Sequence, residues 1–97
     1  MRESELEKWL VDYCVRRNCL TYKFTSPQNK GVPDRIIIAP NGKVGFLELK
    51  QKGKKPTKLQ IRRIEEIQAQ GVAADWADDK LSCRTFVNQL TYRETYA

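Results

Sequence analysis

Asp34, Glu48 and Lys50 are two carboxylates and an amine in a run that otherwise reads as core strand. Asp34 follows Pro33 and heads the apolar segment Ile36-Ile37-Ile38-Ala39, while Glu48 and Lys50 lie inside Phe46-Leu47-Glu48-Leu49-Lys50. Two acids at cross-strand distance repel unless positive charge lies between them. A divalent cation answers that need, and hard oxygen ligands favour magnesium or manganese over zinc. From Lys50 to Arg63 the chain carries seven positive residues and no acid: Lys50, Lys52, Lys54, Lys55, Lys58, Arg62 and Arg63. A basic strip attracts a polyanion, and a neighbouring carboxylate pair can hold a metal against its phosphate. The chemistry implied is phosphodiester hydrolysis.

The acids meet only if the hairpin between them has the right register. Asn41-Gly42 as a two-residue type I′ turn pairs Pro40 with Lys43 and Asp34 with Leu49, which puts Asp34 and Glu48 on opposite faces. Pro40, however, suits position i+1 of a type I turn, and Gly42 the left-handed residue that follows. That three-residue loop pairs Ala39 with Lys43, and counting back pairs Asp34 with Glu48. Lys50 then falls on the same face, one step beyond. On spacing alone, Glu48 and Lys50 also read as solvent-facing strand residues and Asp34 as a turn cap. The rest of that face is apolar (Ile36, Ile38, Val44, Phe46), so charges at one end of it suggest a cleft.

The elements that must hold this constellation follow from periodicity. Residues 3–17 read as a helix, with Leu6, Leu10, Tyr13 and Cys14 at three- and four-residue steps and Glu3, Glu5 and Glu7 in its first turns. Residues 19–24 alternate as a strand. "DRIIIA" and "KVGFLELK" are strands joined by "PNG". Thr57 opens a second helix to about Gln70, with Ile61, Ile64 and Ile67 inward and Gly71 as its stop. "VAADWA" reads as a weaker strand. Asp78 or Asp79 caps a last helix to about Leu90, and the tail "TYRETYA" is left open. The expected architecture is one α/β domain over residues 1–97, ordered α-β-β-β-α-β-α, with helices covering both faces of the sheet.

Composition narrows the chemistry further. The chain has 97 residues, 18 Lys and Arg against 12 Asp and Glu, and a formal net charge of +6, which suits a nucleic-acid partner. It has no histidine, which excludes triads and zinc sites that need one. Its three cysteines, Cys14, Cys19 and Cys83, form no CxxC pair and argue against a disulfide framework. The charged N-terminus "MRESELEKWL" has neither a signal-type nor a membrane-length apolar run. A soluble cytoplasmic protein with no membrane partner and no small-molecule cofactor is expected.

Gly31-Val32-Pro33-Asp34-Arg35, then Glu48-Leu49-Lys50, then the basic loop and "KKPTKLQ" ending at Gln60 resemble the VRR-NUC branch of the PD-(D/E)XK nuclease superfamily. The resemblance runs from the first helix to about Gly71. It implies a restriction-endonuclease-like core with a central mixed sheet. It also implies divalent-metal-dependent DNA cleavage, and for small stand-alone members a Holliday-junction-resolvase-like homodimer at home in a bacterium or phage-infected cell. Asp34 and Glu48 are then metal ligands, with the Leu49 carbonyl as a third. Lys50 positions water or offsets charge. A further acid from the first helix is expected, Glu7 first and Glu3 next, although both also read as helix-dipole acids. Gln60 lies beside the site in the family, and it also completes a capping box with Thr57. Lys30, Arg35, Lys52, Lys54, Lys55, Lys58, Arg62 and Arg63 are candidates for phosphate contact. Neutralising about six phosphates gives a salt slope of roughly −5. Two other readings stand beside this one, a restriction-type or nicking nuclease of the same fold and a catalytically inactive DNA-binding module.

Overall fold

The computed structural model describes residues 1–92, so the undecided tail falls largely outside the described residues. The elements are α1 (Glu3–Arg16), β1 (Leu20–Lys23), β2 (Arg35–Ile38), β3 (Val44–Leu49), α2 (Lys58–Ala69), β4 (Ala73–Ala77) and α3 (Lys80–Thr91). They form one mixed sheet in the order β1-β2-β3-β4, antiparallel except for the parallel β3–β4 pair. The order and kinds of element are those expected from the sequence, with ends within a few residues.

The β2–β3 hairpin takes the three-residue loop. The Gly42 amide donates to the Ala39 carbonyl at 2.9 Å, and the Ala39 amide donates to the Lys43 carbonyl at 2.8 Å. Gly42 sits at φ +87, a conformation glycine adopts without a Cβ penalty. The Asn41 carboxamide accepts from the Lys43 amide and donates to the Leu90 carbonyl at the end of α3, pinning the turn to the helix layer. Paired residues are Arg35 with Leu47 and Ile36 with Phe46; one step on, Asp34 lies opposite Glu48.

One face of the sheet carries Ile37, Ala39, Gly45, Leu47, Leu49 and Ala77, all buried. It meets Leu6, Leu10 and Cys14 of α1 and Cys83, Phe86, Val87 and Leu90 of α3 in a single apolar core. These helix residues recur at three- and four-residue steps, so each helix turns one apolar stripe inward. Gly45 makes room for α3, because a Cβ there would come within 2.7 Å of the Phe86 ring. The other face carries Ile36, Ile38, Val44 and Phe46, all half-buried, and ends in Asp34 and Glu48. Here α2 packs against β4 through its stripe, with Ile64 buried and Ile61 and Ile67 half-buried. The N-terminus of α2 is a closed capping box: the Gln60 amide donates to Thr57 Oγ1 at 3.1 Å, and the Thr57 amide donates to Gln60 Oε1 at 2.9 Å.

Candidate active site

Carrying the strand register one residue further sets Phe24, Asp34, Glu48 and Trp76 abreast across the four strands. The Phe24 amide donates to the Asp34 carbonyl at 2.7 Å, so β1 is still paired at that level. Opposed residues in a sheet share a face, so the two carboxylates lie side by side at the end of an apolar surface. Lys50 continues β3 by one residue: its amide donates to the Ala77 carbonyl at 2.9 Å, and alternation returns its side chain to the Glu48 face.

Glu48 is 8% exposed. Burial, and then the neighbouring Asp34 charge, push its carboxyl up to about 7, against the pull of Lys50. Among the described residues neither Asp34 nor Glu48 has an ion-pair partner or a hydrogen bond to another side chain, and the Asp34 main chain lowers the Glu48 carboxyl only weakly against its burial. The Glu48–Lys50 salt bridge that a purely structural role predicts is absent from the described residues. A buried carboxylate beside a second carboxylate is costly to ionise, and a cation between them removes the cost. The donor set therefore fits a hard divalent ion. No group of three or more His, Cys, Asp or Glu among the described residues forms a ready cage. An ion here would take the two carboxylates and complete its shell with main-chain and water oxygens, a habit of magnesium.

The loop before Asp34 is held against the start of α2. Gly31 sits at φ +85, where a Cβ would lie 2.9 Å from Leu59 Cγ. The Lys30 carbonyl accepts from Arg63 Nε at 3.0 Å, and Arg63 also pairs with Glu66 at 3.0 Å. Pro33 is buried, which fixes the entry into Asp34. Gln60 is half-buried in the same turn of α2, with its carbonyl oxygen committed to the capping box.

Two of the expected site residues, Glu7 and Arg35, are paired with each other. Glu7 Oε2 takes Arg35 at 2.8 Å and Lys23 at 3.4 Å, and the Arg35 hydrogen bond holds its carboxyl below the usual range. The same contact removes Arg35 from the phosphate-binding set: it is 7% exposed and points into the α1 face. Side chains alternate along β2, so a residue directly after Asp34 must face the other way. Glu3, one turn earlier on α1, is the helix acid whose charge bears on Glu48.

Lys30, Lys54, Lys55, Lys58 and Arg62 are exposed, as a phosphate-binding strip requires. Lys52 is exposed but paired with Asp79, at 3.3 Å. Trp9 stacks on Tyr13 beside the core and Phe86 is buried within it, while Trp76 is half-buried next to Glu48. Sequence reasoning missed Asp78 and Asp79 as partners of the basic loop. The register signals them, because parallel pairing sets Asp78 beside Lys50.

No family model matches the chain. It is 44% identical over 71 residues to "Putative nuclease p44" of Acyrthosiphon pisum secondary endosymbiont phage 1, spanning 73% of this chain and 76% of that protein. Among solved structures it resembles a "VRR_NUC domain" with a TM-score of 0.80, at 22% identity, over 89% of this chain and 94% of the other. It also resembles a "VRR_NUC domain protein" with a TM-score of 0.75, at 20% identity, over 93% and 88% of the two chains.

Proposed function

We propose, for a chain that belongs to the VRR-NUC family of nucleases, that it is a divalent-metal-dependent endodeoxyribonuclease acting on branched DNA. The observation that carries the metal is the buried Glu48 carboxyl, pushed up to about 7 beside Asp34 with no side-chain partner among the described residues. Asp34 and Glu48 would hold magnesium or manganese, with the Leu49 carbonyl as a third oxygen donor. When bound, such an ion offsets charge on the phosphate and makes its water a better nucleophile.

The chain's own groups do the rest. Lys50 lies on the Glu48 face one step further along β3, placed to offset charge that builds on the phosphoryl oxygens. Glu3 is the first-helix acid that contributes to the field at Glu48, in place of Glu7. Gln60 is held by its capping box in the first turn of α2, which packs on the Gly31 loop leading to Asp34. Lys30, Lys54, Lys55, Lys58 and Arg62 supply the phosphate-binding charge, with Lys52 and Arg63 available once their present partners release them. Branched DNA as substrate, a homodimer that makes paired cuts and a cytoplasmic setting rest on the family resemblance. No helix among the described residues is long and apolar enough to cross a membrane.

The test is a cleavage assay on labelled four-way junction, flap and linear duplex, with magnesium, manganese or EDTA. Cutting that needs metal, prefers the branched substrates and disappears in Asp34→Ala is the expected result. Unchanged binding with no cutting in either metal would instead identify a DNA-binding module. Equal cutting of linear duplex would identify a nicking enzyme.

A further inference from the structure

We propose that Asp78 and Asp79 form an acidic clasp that positions the loop following Lys50 and holds Lys52 in reserve for a DNA phosphate. The proposal rests on the nuclease reading above and adds two positioning residues to it. Parallel pairing carries β4 alongside β3, so its continuation at Asp78 runs beside Lys50. Beyond Lys50 the chain turns sharply: Gly53 sits at φ +86, and the Lys54 amide donates to the Gln51 carbonyl at 2.9 Å.

The clasp closes on this turn from the β4 side. The Gly53 amide donates to Asp78 Oδ2 at 3.1 Å, which fixes the backbone three residues after Lys50. Lys52 Nζ donates to Asp79 Oδ2 at 3.3 Å, and the Lys52 amide donates to the Met1 carbonyl at 3.2 Å. Asp79 uses its other oxygen to cap α3, accepting from the Ser82 amide at 2.8 Å. Hydrogen bonds from Ser82 hold its carboxyl below the usual range.

The two acids act differently. Asp78 binds main chain, so its contact survives when DNA arrives and keeps Lys50 in register. Asp79 binds an exposed ammonium. Such a pair is weakly held, and a phosphate can replace the carboxylate. Among the described residues Lys54, Lys55 and Lys58 have no acid partner, so between residues 52 and 58 Lys52 alone must exchange a protein carboxylate for phosphate. The exchange spends part of the electrostatic gain and moderates affinity for DNA.

Two variants test the clasp. Asp79→Asn keeps an N-cap, because Asn caps as well as Asp, and removes the charge. In EDTA, fluorescence anisotropy with a labelled four-way junction should show binding tightened by about two- to fivefold and a salt slope steeper by roughly 0.9, one full phosphate contact. Unchanged affinity and slope would overturn the reserve role. Asp78→Ala should lower kcat roughly tenfold with KM within about twofold, and Asp78→Asn, which still offers an oxygen to the Gly53 amide, should restore kcat. A lowered Tm with kcat intact, or a loss that Asn does not restore, would overturn the positioning role. The binding arm needs no cleavage, so it reads the clasp even if the wild-type protein cuts nothing, a result that counts against the nuclease reading alone.

Discussion

Replacing Glu48 by Gln should make the metal-free protein more stable at alkaline pH while abolishing its chemistry. Glu48 is nearly buried, and its carboxyl is raised from 4.5 to about 7. For an acid raised on folding, the native state holds the proton more tightly than the unfolded chain. Stability therefore falls as pH rises between 4.5 and 7, and the full penalty stands above that window. A shift of that size corresponds to roughly 3 kcal/mol at pH 8, at about 1.4 kcal/mol per unit. Gln still buries a polar amide, so a net gain of about 1–2 kcal/mol is expected. In a domain of this size that raises Tm by on the order of 5–10 °C. Thermal unfolding followed by circular dichroism in EDTA, at pH 8 and at pH 4.5, reads it directly. The gain should be clear at pH 8 and mostly gone at pH 4.5, where the native carboxyl is neutral and the unfolded one is already half protonated. Manganese should stabilise the wild type and not the variant. A Gln variant less stable than wild type at pH 8 in EDTA would refute the reasoning, because Glu48 would then be a satisfied structural charge.

Lys50→Ala should remove cleavage and leave junction binding within a few-fold; a loss of binding as large as the loss of cutting would refute that division of labour. Glu3→Gln should raise the magnesium concentration needed for half-maximal cutting, whereas Glu7→Gln should leave it unchanged. Glu7→Gln should instead lower stability at pH 7 by on the order of 1 kcal/mol. That loss is present above about pH 4.5 and fades as pH falls through the lowered Glu7 value, so urea melts at pH 7 and pH 3 separate the two roles. Arg35→Ala should cost about 2–4 kcal/mol in urea unfolding without changing the salt slope of DNA binding, because Arg35 is buried against Glu7. Sedimentation at micromolar concentration should show a dimer, and a species of 11.3 kDa alone would contradict it.

The register that unites Asp34 with Glu48 was legible because it is written in local chemistry. Pro40 has a fixed φ and Gly42 takes the left-handed φ that other residues resist, and together they select the three-residue loop that the structure shows. The capping box at Thr57 and Gln60 was legible for the same reason, since its partners are three residues apart. What was not legible depends on how layers dock. The side of α1 that meets the sheet decides between Glu3 and Glu7, and helical periodicity leaves both at the border of the apolar stripe. Arg35 lay within reach of the alternation argument already applied to Asp34 and Ile36, but its charge suggested solvent. The Asp78–Asp79 contacts with the basic loop required knowing that β4 pairs parallel to β3, a non-local fact.

Asp34 and Glu48 are expected to bind one divalent ion between them. A crystal soaked in manganese tests this most directly, because anomalous scattering locates the ion without reference to activity. A single strong peak is expected between the two carboxylates at the end of the β2–β3 hairpin. Asp34 and Glu48 left without an ion, with manganese bound only elsewhere on the protein, would contradict it.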